Sequence, residues 1–340
     1  MSTLKQVAAA AGVHPGTASA ILNQASGNTR VSDATRDKVL QAAQALSYVP
    51  NQHAAALKRG KTSYVGFFGG DVRNPFFAEL ITCLEGALAT NGLQLLTSQF
   101  TYSPEDSLPG HIQSLLEQQV RAIVYWDESD DWAGKRLIRP GHVDWLPIGF
   151  THRERPGVWL DLEHGIRESI RHFRQRGCQR VYLLTPDPAQ ALASPSVGDR
   201  LTCFHNACRE EGLEGVASIY AGDSWDMQAA SAGGVDLIAT LQGRAGEGIL
   251  TFNDVAGLGL LAAGCSSGHA ALLSKQEMVC FDGTRLIRSW GGNVCYLDLR
   301  IDQLVREVVE AITATNDGLS TTCRRLKPKL CTADLEGVQR

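Results

Sequence analysis

Polar and aromatic side chains able to grip a small molecule recur just after short apolar runs of this chain. Asp71, Asn74, Pro75, Phe76 and Phe77 follow the run 64–68; Asp161 follows Val158, Trp159 and Leu160; Asn253 and Asp254 follow 248–252; Asp282 follows Val279, Cys280 and Phe281. Carboxylates and amides there can bond the polar groups of a ligand, while aromatic faces stack on its apolar side. For Asn253 and Asp254 a plainer role is equally open, that of capping the helix that follows.

Catalytic chemistry finds no comparable set. We identify no nucleophile elbow, no paired catalytic acids and no metal cluster; His152, His164 and His172 lack a ligand spacing. The nine cysteines are scattered without a CxxC pair, which favours neither zinc nor a disulfide framework, and they read as small buried hydrophobes. Gly257-Leu258-Gly259-Leu260-Leu261-Ala262 fits a dinucleotide-binding GxGxxA. However, Asn253 and Asp254 already open a helix there, which puts the glycines inside it as packing positions, and no strand ending in an acid follows at the usual spacing. Neither a cofactor nor a metal is therefore expected, and the chain reads as a non-enzyme.

The elements that must position these residues alternate. Candidate strands at 64–68, 93–98, 122–126, 146–150, 181–185, 217–220, 248–252 and 278–281 are separated mostly by helical patterns, which predicts parallel sheets covered by helices on both faces. Residues 62–340 exceed what one such core usually holds, so two doubly wound α/β lobes are expected. In such folds a ligand lies at the carboxyl ends of the strands, where the residues above stand.

The first sixty residues differ. Leu4, Val7, Ala8 and Ala11 share a face of one short helix, Gly12 can take the positive φ of a tight turn, and Pro15 opens a second helix with Ala18, Ile21 and Leu22 as its apolar stripe. Thr17, Ser19 and Asn23 face outward, and a third helix runs from Ser32 to Leu46. This is a small all-α helix-turn-helix head, whose second helix is the kind that enters a major groove while hydroxyls and amides hold phosphates. The plainer alternative is a three-helix bundle that binds nothing.

Charge supports the division. Residues 1–60 carry a net +4, leaving −8 for the rest of a chain whose formal charge is −4. A basic head on an acidic body suggests a polyanionic partner for the head alone. No secretion signal and no apolar stretch of membrane-spanning length are seen, so a cytoplasmic protein with no membrane partner is expected.

The segments TLKQVAAAAGVHPGTASAILN, VSDATRDKVLQAAQALSYVPN and NPFFAEL (74–80) resemble the lactose-repressor/galactose-repressor (LacI/GalR) transcription factors, and the likeness covers essentially the whole chain. The resemblance implies a helix-turn-helix domain at 1–48, a hinge helix and linker at 49–61, and a periplasmic-binding-protein-like effector and dimerisation domain at 62–340. Its N-lobe would be about 62–160 and 286–320, its C-lobe about 161–285 and 321–340, with three crossings of the chain between them. Arg200 matches the motif whose arginine reaches the effector, and Trp225 stands near the family's stacking aromatic. The implied effector contacts are Asp71, Phe76, Phe77, Asp161, Arg200, Trp225, Asn253 and Asp282, around a sugar or sugar derivative. The implied DNA contacts are His14, Pro15, Gly16, Thr17, Ser19, Ala20 and Asn23 in the head, with Asn51, Ala54, Leu57 and Lys58 in the hinge, where Leu57 would wedge into the minor groove.

The departures matter. Pro15 and Gly16 occupy positions that usually read bases, and Ala20 stands where the family often has arginine, so bidentate guanine readout from that position is absent. Base discrimination falls to His14, to methyl contacts from Ala18 or Ala20, or to DNA shape. No heptad extension follows Leu335, so a homodimer on double-stranded operator DNA is expected rather than a tetramer. The competing reading is an α/β small-molecule-binding protein or enzyme without DNA function.

Overall fold

The computed structural model describes residues 2–22, 31–49, 62–99, 108–127, 143–150, 156–188, 195–290, 294–314 and 323–332. They belong to two compact units, Met1–Ser63 and Tyr64–Arg340.

In the first unit Thr3 starts α1 (Leu4–Ala11) with a capping box. Its hydroxyl accepts from the Gln6 N–H at 3.4 Å, and the Gln6 side chain accepts from the Thr3 N–H at 2.7 Å. Gly12, at φ 66°, ends the helix in the left-handed region, and the chain re-enters helix at Pro15 in α2 (Pro15–Leu22). Ser32 caps α3 (Asp33–Ala45) by accepting from the Thr35 N–H at 3.3 Å. Val7, Ala8, Ala18, Ile21, Val39 and Ala43 form the core, with Leu4, Ala11 and Leu22 packed against it.

The second unit contains two sheets. The chain runs β1 (Tyr64–Phe68), α4 (Pro75–Ala89), β2 (Gln94–Ser98), α5 (Leu108–Glu117), β3 (Ala122–Asp127), β4 (Asp144–Phe150), β5 (Gly157–Leu160) and α6 (Leu162–Gln175). It continues through β6 (Arg180–Pro186), α7 (Pro195–Glu211), β7 (Glu214–Tyr220), α8 (Met227–Leu241), β8 (Gly248–Thr251), α9 (Asp254–Ser266), α10 (Ala270–Leu273), β9 (Glu277–Asp282) and α11 (Arg285–Arg288). It closes with β10 (Val294–Asp298), α12 (Ile301–Thr313), β11 (Cys323–Leu326) and β12 (Lys329–Cys331). One sheet has the order β11-β5-β4-β3-β1-β2 and the other β12-β10-β9-β8-β6-β7; every pairing is parallel except β10 with β12. Strands covered on both faces become continuous apolar runs: all six residues of β3 are buried.

The chain crosses between the sheets three times, after β5, β10 and β11. The expected lobe limits need correction. Residues 294–298 belong to the second sheet, since β10 pairs with β9 from Val294 opposite Met278 to Asp298 opposite Asp282, so the return to the first lobe falls after Asp298 rather than near 286. Residues 323–326 belong to the first sheet, paired with β5, so the chain does not leave that lobe at 321. On returning, α12 buries Ile301, Leu304, Val305, Val308 and Ile312, a helical stripe that seats it in the first lobe beside α4.

The GxGxxA glycines lie inside α9, as packing positions. A Cβ at Gly259 would stand 2.7 Å from the Ala230 Cβ of α8, and one at Gly257 would stand 2.5 Å from the Cys280 sulfur. These close approaches, rather than a phosphate, require glycine there.

Candidate functional site

Between the lobes, at the carboxyl ends of the strands, a cavity is lined by Asp71, Phe76, Phe77, Arg200, Trp225, Asn253 and Asp282 of the expected set, with Asn74 beside them. The first-lobe wall is built at the end of β1. Gly70, at φ 72°, lets the backbone turn under the Phe77 ring, where a Cβ would come within 2.2 Å. The Asn74 side chain accepts from the Phe76 N–H at 3.0 Å and Pro75 follows at the first helical position, so the start of α4 presents Phe76 and Phe77 together. Trp126 packs edge-on to both, at 5.3 and 5.1 Å between ring centroids, and to Phe150 at 5.4 Å.

Arg200 reaches this wall from α7. Its side chain is buried, its guanidinium lies 4.9 Å from the Phe150 ring and 4.3 Å from those of Phe252 and Phe281, and it donates to the Phe252 carbonyl. Three aromatic rings within cation–π distance hold the guanidinium in place.

Opposite stand Asn253 and Asp282. Asn253 both caps α9 and lines the cavity: its carbonyl oxygen accepts from the Ala256 N–H at 2.9 Å, and its amide donates to the Ser224 carbonyl at 2.7 Å. Asp254 accepts from the Thr284 N–H at 2.6 Å and the Gly283 N–H at 3.4 Å, and so holds the turn that carries Asp282 at φ 92°. Burial pushes the Asp282 carboxyl up to about 6 despite the opposing pull of Arg200. Burial, with the Asp282 charge nearby, also holds the Asp254 carboxyl well above its ordinary range.

Besides Arg200 over Phe150, further contacts among the described residues cross the cleft. Arg73, held by Asp71 through Nε at 2.8 Å and 3.0 Å, lies 5.3 Å from the centre of the Trp225 ring. The Glu79 carboxylate accepts from the Arg285 N–H at 2.9 Å.

Asp161 is not among the cavity residues. It caps α6, accepting from the His164 N–H at 3.0 Å, with Arg325 Nε 3.8 Å from its other oxygen. Its place after β5 suits a cap as well as a ligand contact, and the cap is the contact seen. Gly70, Trp126, Phe150, Ser224 and Phe252 also line the cavity although the sequence reading did not select them. Trp126 and Phe150 close β3 and β4, so applying the strand-end rule to every strand would have found them.

In the head, His14 and Gly16 are exposed and Pro15, Thr17, Ser19 and Ala20 are half-buried. Ala18 is fully buried in the core, which removes it as a methyl contact to a base. Asn23, Asn51, Ala54, Leu57 and Lys58 lie outside the described residues. Among the described residues no group of side chains could hold a metal ion, and no helix is long and apolar enough to cross a membrane.

Residues 3–51 match the model of the bacterial regulatory proteins of the lacI family. The HTH-type transcriptional regulator GalR of Escherichia coli (strain K12) is 31% identical over 218 residues, which is 63% of this chain and 60% of that protein. AscG of the same strain is 25% identical over 94% of this chain and 93% of its own length, and DegA of Bacillus subtilis (strain 168) is 25% identical over 75% and 74%. Among solved structures, the lac repressor dimer bound to operator and the anti-inducer ONPF superposes with a TM-score of 0.76 at 22% identity, over 97% of each chain. Residues 3–51 are thus similar to the DNA-binding domain of the lacI family, and the two-sheet domain that follows has the fold of the lac repressor.

Proposed function

We propose that this protein is a sequence-specific DNA-binding regulator, a repressor, whose operator affinity is set by a small molecule bound between the lobes. The observation that carries this reading is the union, in one chain, of a helix-turn-helix unit and a cleft lined by Arg200, Asp282 and Asn253 beside aromatic walls. A guanidinium and a carboxylate facing one space suit vicinal hydroxyls, and ring faces suit the apolar side of a sugar. A sugar or sugar derivative is therefore the proposed effector class, in line with a similar chain, the regulator CelR, solved as a cellobiose complex. The lac repressor likeness supports a homodimer on double-stranded DNA, with residues 1–48 as the DNA-binding part and 49–61 as hinge. The regulators among its relatives support a cytoplasmic non-enzyme.

The cavity encloses about 40 Å³. That is room for little more than a water molecule. A sugar must part the Arg73–Trp225 contact and separate the lobes, so it binds an opened arrangement better than this one. That difference is the free energy available to shift the equilibrium between states of different operator affinity.

The test is fluorescence anisotropy on a duplex enriched from a random pool, with and without sugars that raise the melting temperature. Specific, salt-sensitive binding altered by such a sugar is expected. A ligand that binds tightly while leaving DNA affinity unchanged would remove the regulatory coupling.

A further inference from the structure

The start of α2 is built differently from the rest of the head. Pro15 has no N–H, so the first free donor of the helix belongs to Gly16, and the His14 ring takes it: Gly16 N–H donates to His14 Nδ1 at 3.1 Å. His14 also accepts through its carbonyl from the Thr17 and Ala18 N–H groups, at 2.9 and 3.1 Å, which makes it the capping residue. Glycine at position 16 leaves the ring room, since a Cβ there would stand 3.2 Å from Nδ1.

The consequence is a fixed tautomer. A nitrogen that accepts cannot carry hydrogen, so the neutral ring bears its hydrogen on Nε2. That atom has no partner among the described residues, and His14 is exposed at the end of the helix that enters the groove in this type of head. On the rest of the helix, Thr17 and Ser19 carry hydroxyls suited to phosphate oxygens. Pro15 and Gly16 have no donor side chains, Ala20 offers only a methyl, and Ala18 is buried.

We propose that His14 is the specificity-determining residue of this head, its Nε2–H donating to guanine in the major groove of each half-site. Guanine presents two neighbouring acceptors, N7 and O6; cytosine opposes the ring with an amino donor, and adenine sets one beside its N7. The inference rests on the DNA-binding reading above and deepens it.

The test is enrichment of double-stranded DNA from a random pool by the full-length protein, for wild type, His14→Ala and His14→Ser. Serine preserves a capping acceptor but lacks the reach of the ring. Wild type should select a two-fold symmetric site with a guanine preference of roughly tenfold at one position per half-site. In His14→Ser, folded by circular dichroism, that preference should fall to near unity while the other positions hold. Retention of guanine by His14→Ser, or a His14-dependent position that prefers another base, would overturn the proposal and leave the regulator reading intact. Failure of wild type to enrich any sequence would instead bring down the regulator reading and this proposal with it.

Discussion

Replacing Arg200 by alanine removes the cation at the centre of the cleft, and the structure allows the cost to be worked through. The guanidinium rests on the rings of Phe150, Phe252 and Phe281, at 4.9, 4.3 and 4.3 Å. A desolvated contact of this kind is worth about 2 kcal/mol. Its bond to the buried Phe252 carbonyl is also lost, and an acceptor left unsatisfied costs about 1–3 kcal/mol. Asp282 limits the remaining loss. Burial raises its carboxyl to about 6 and Arg200 is what pulls it down, so without Arg200 it rises further and the protonated form is favoured. The full ~3–5 kcal/mol of a buried charge stripped of its partner is therefore not reached. The variant should fold, less stable by about 3–5 kcal/mol. Its affinity for a sugar effector should fall by about 2–5 kcal/mol, roughly thirty- to several-thousand-fold, while operator binding without ligand persists. Calorimetry on the folded variant, with urea denaturation in parallel, checks both. Wild-type sugar affinity in Arg200→Ala would refute the assignment of the cleft.

Further outcomes follow from individual contacts. The Asp282 carboxyl is raised from its ordinary 3.8 to about 6, so the folded state holds its proton more tightly than the unfolded state. Its destabilising effect is absent below pH ~4, grows between pH ~4 and 6 and is fully present above, on the order of 3 kcal/mol; in Asp282→Asn, urea denaturation should lose part of this pH dependence, and an unchanged profile would count against it. If ionised Asp282 accepts from a sugar hydroxyl, calorimetric affinity should weaken as pH falls from 7.5 to 5.5. Gly259→Ala should force α8 and α9 apart and lower stability by about 1–3 kcal/mol, read by thermal melting, since the new Cβ meets Ala230 at 2.7 Å. Trp225→Ala should weaken sugar binding by about 1–2 kcal/mol and leave DNA affinity unliganded and intact, by calorimetry and anisotropy.

Much of the fold was legible because buried parallel strands are apolar runs that end abruptly. The predicted segments 64–68, 122–126 and 181–185 fall on β1, β3 and β6. The short closing strands β11 and β12, of four and three residues, carry too few residues for a period to show, and β10 was assigned with the wrong lobe. Nothing local in Val294–Asp298 says that it pairs with β9, because pairing is decided across the chain. The cleft was legible by position, since Asp71, Asn253 and Asp282 stand where strands end. At Asp161 the same position holds a helix cap, because an acid before a helix serves equally well in that role. Trp126 and Phe150 looked like core, and they are; that core also forms the wall of the cavity.

The most direct measurement for the central claim is the affinity of the full-length protein for duplex DNA across a salt series, comparing a duplex enriched from a random pool with its scrambled counterpart. A DNA-reading regulator should prefer the enriched, two-fold symmetric duplex by at least about a thousandfold, with affinity for both falling linearly in log–log form as salt rises. Equal affinity for the two duplexes at every salt concentration, or no binding at low salt, would contradict the account.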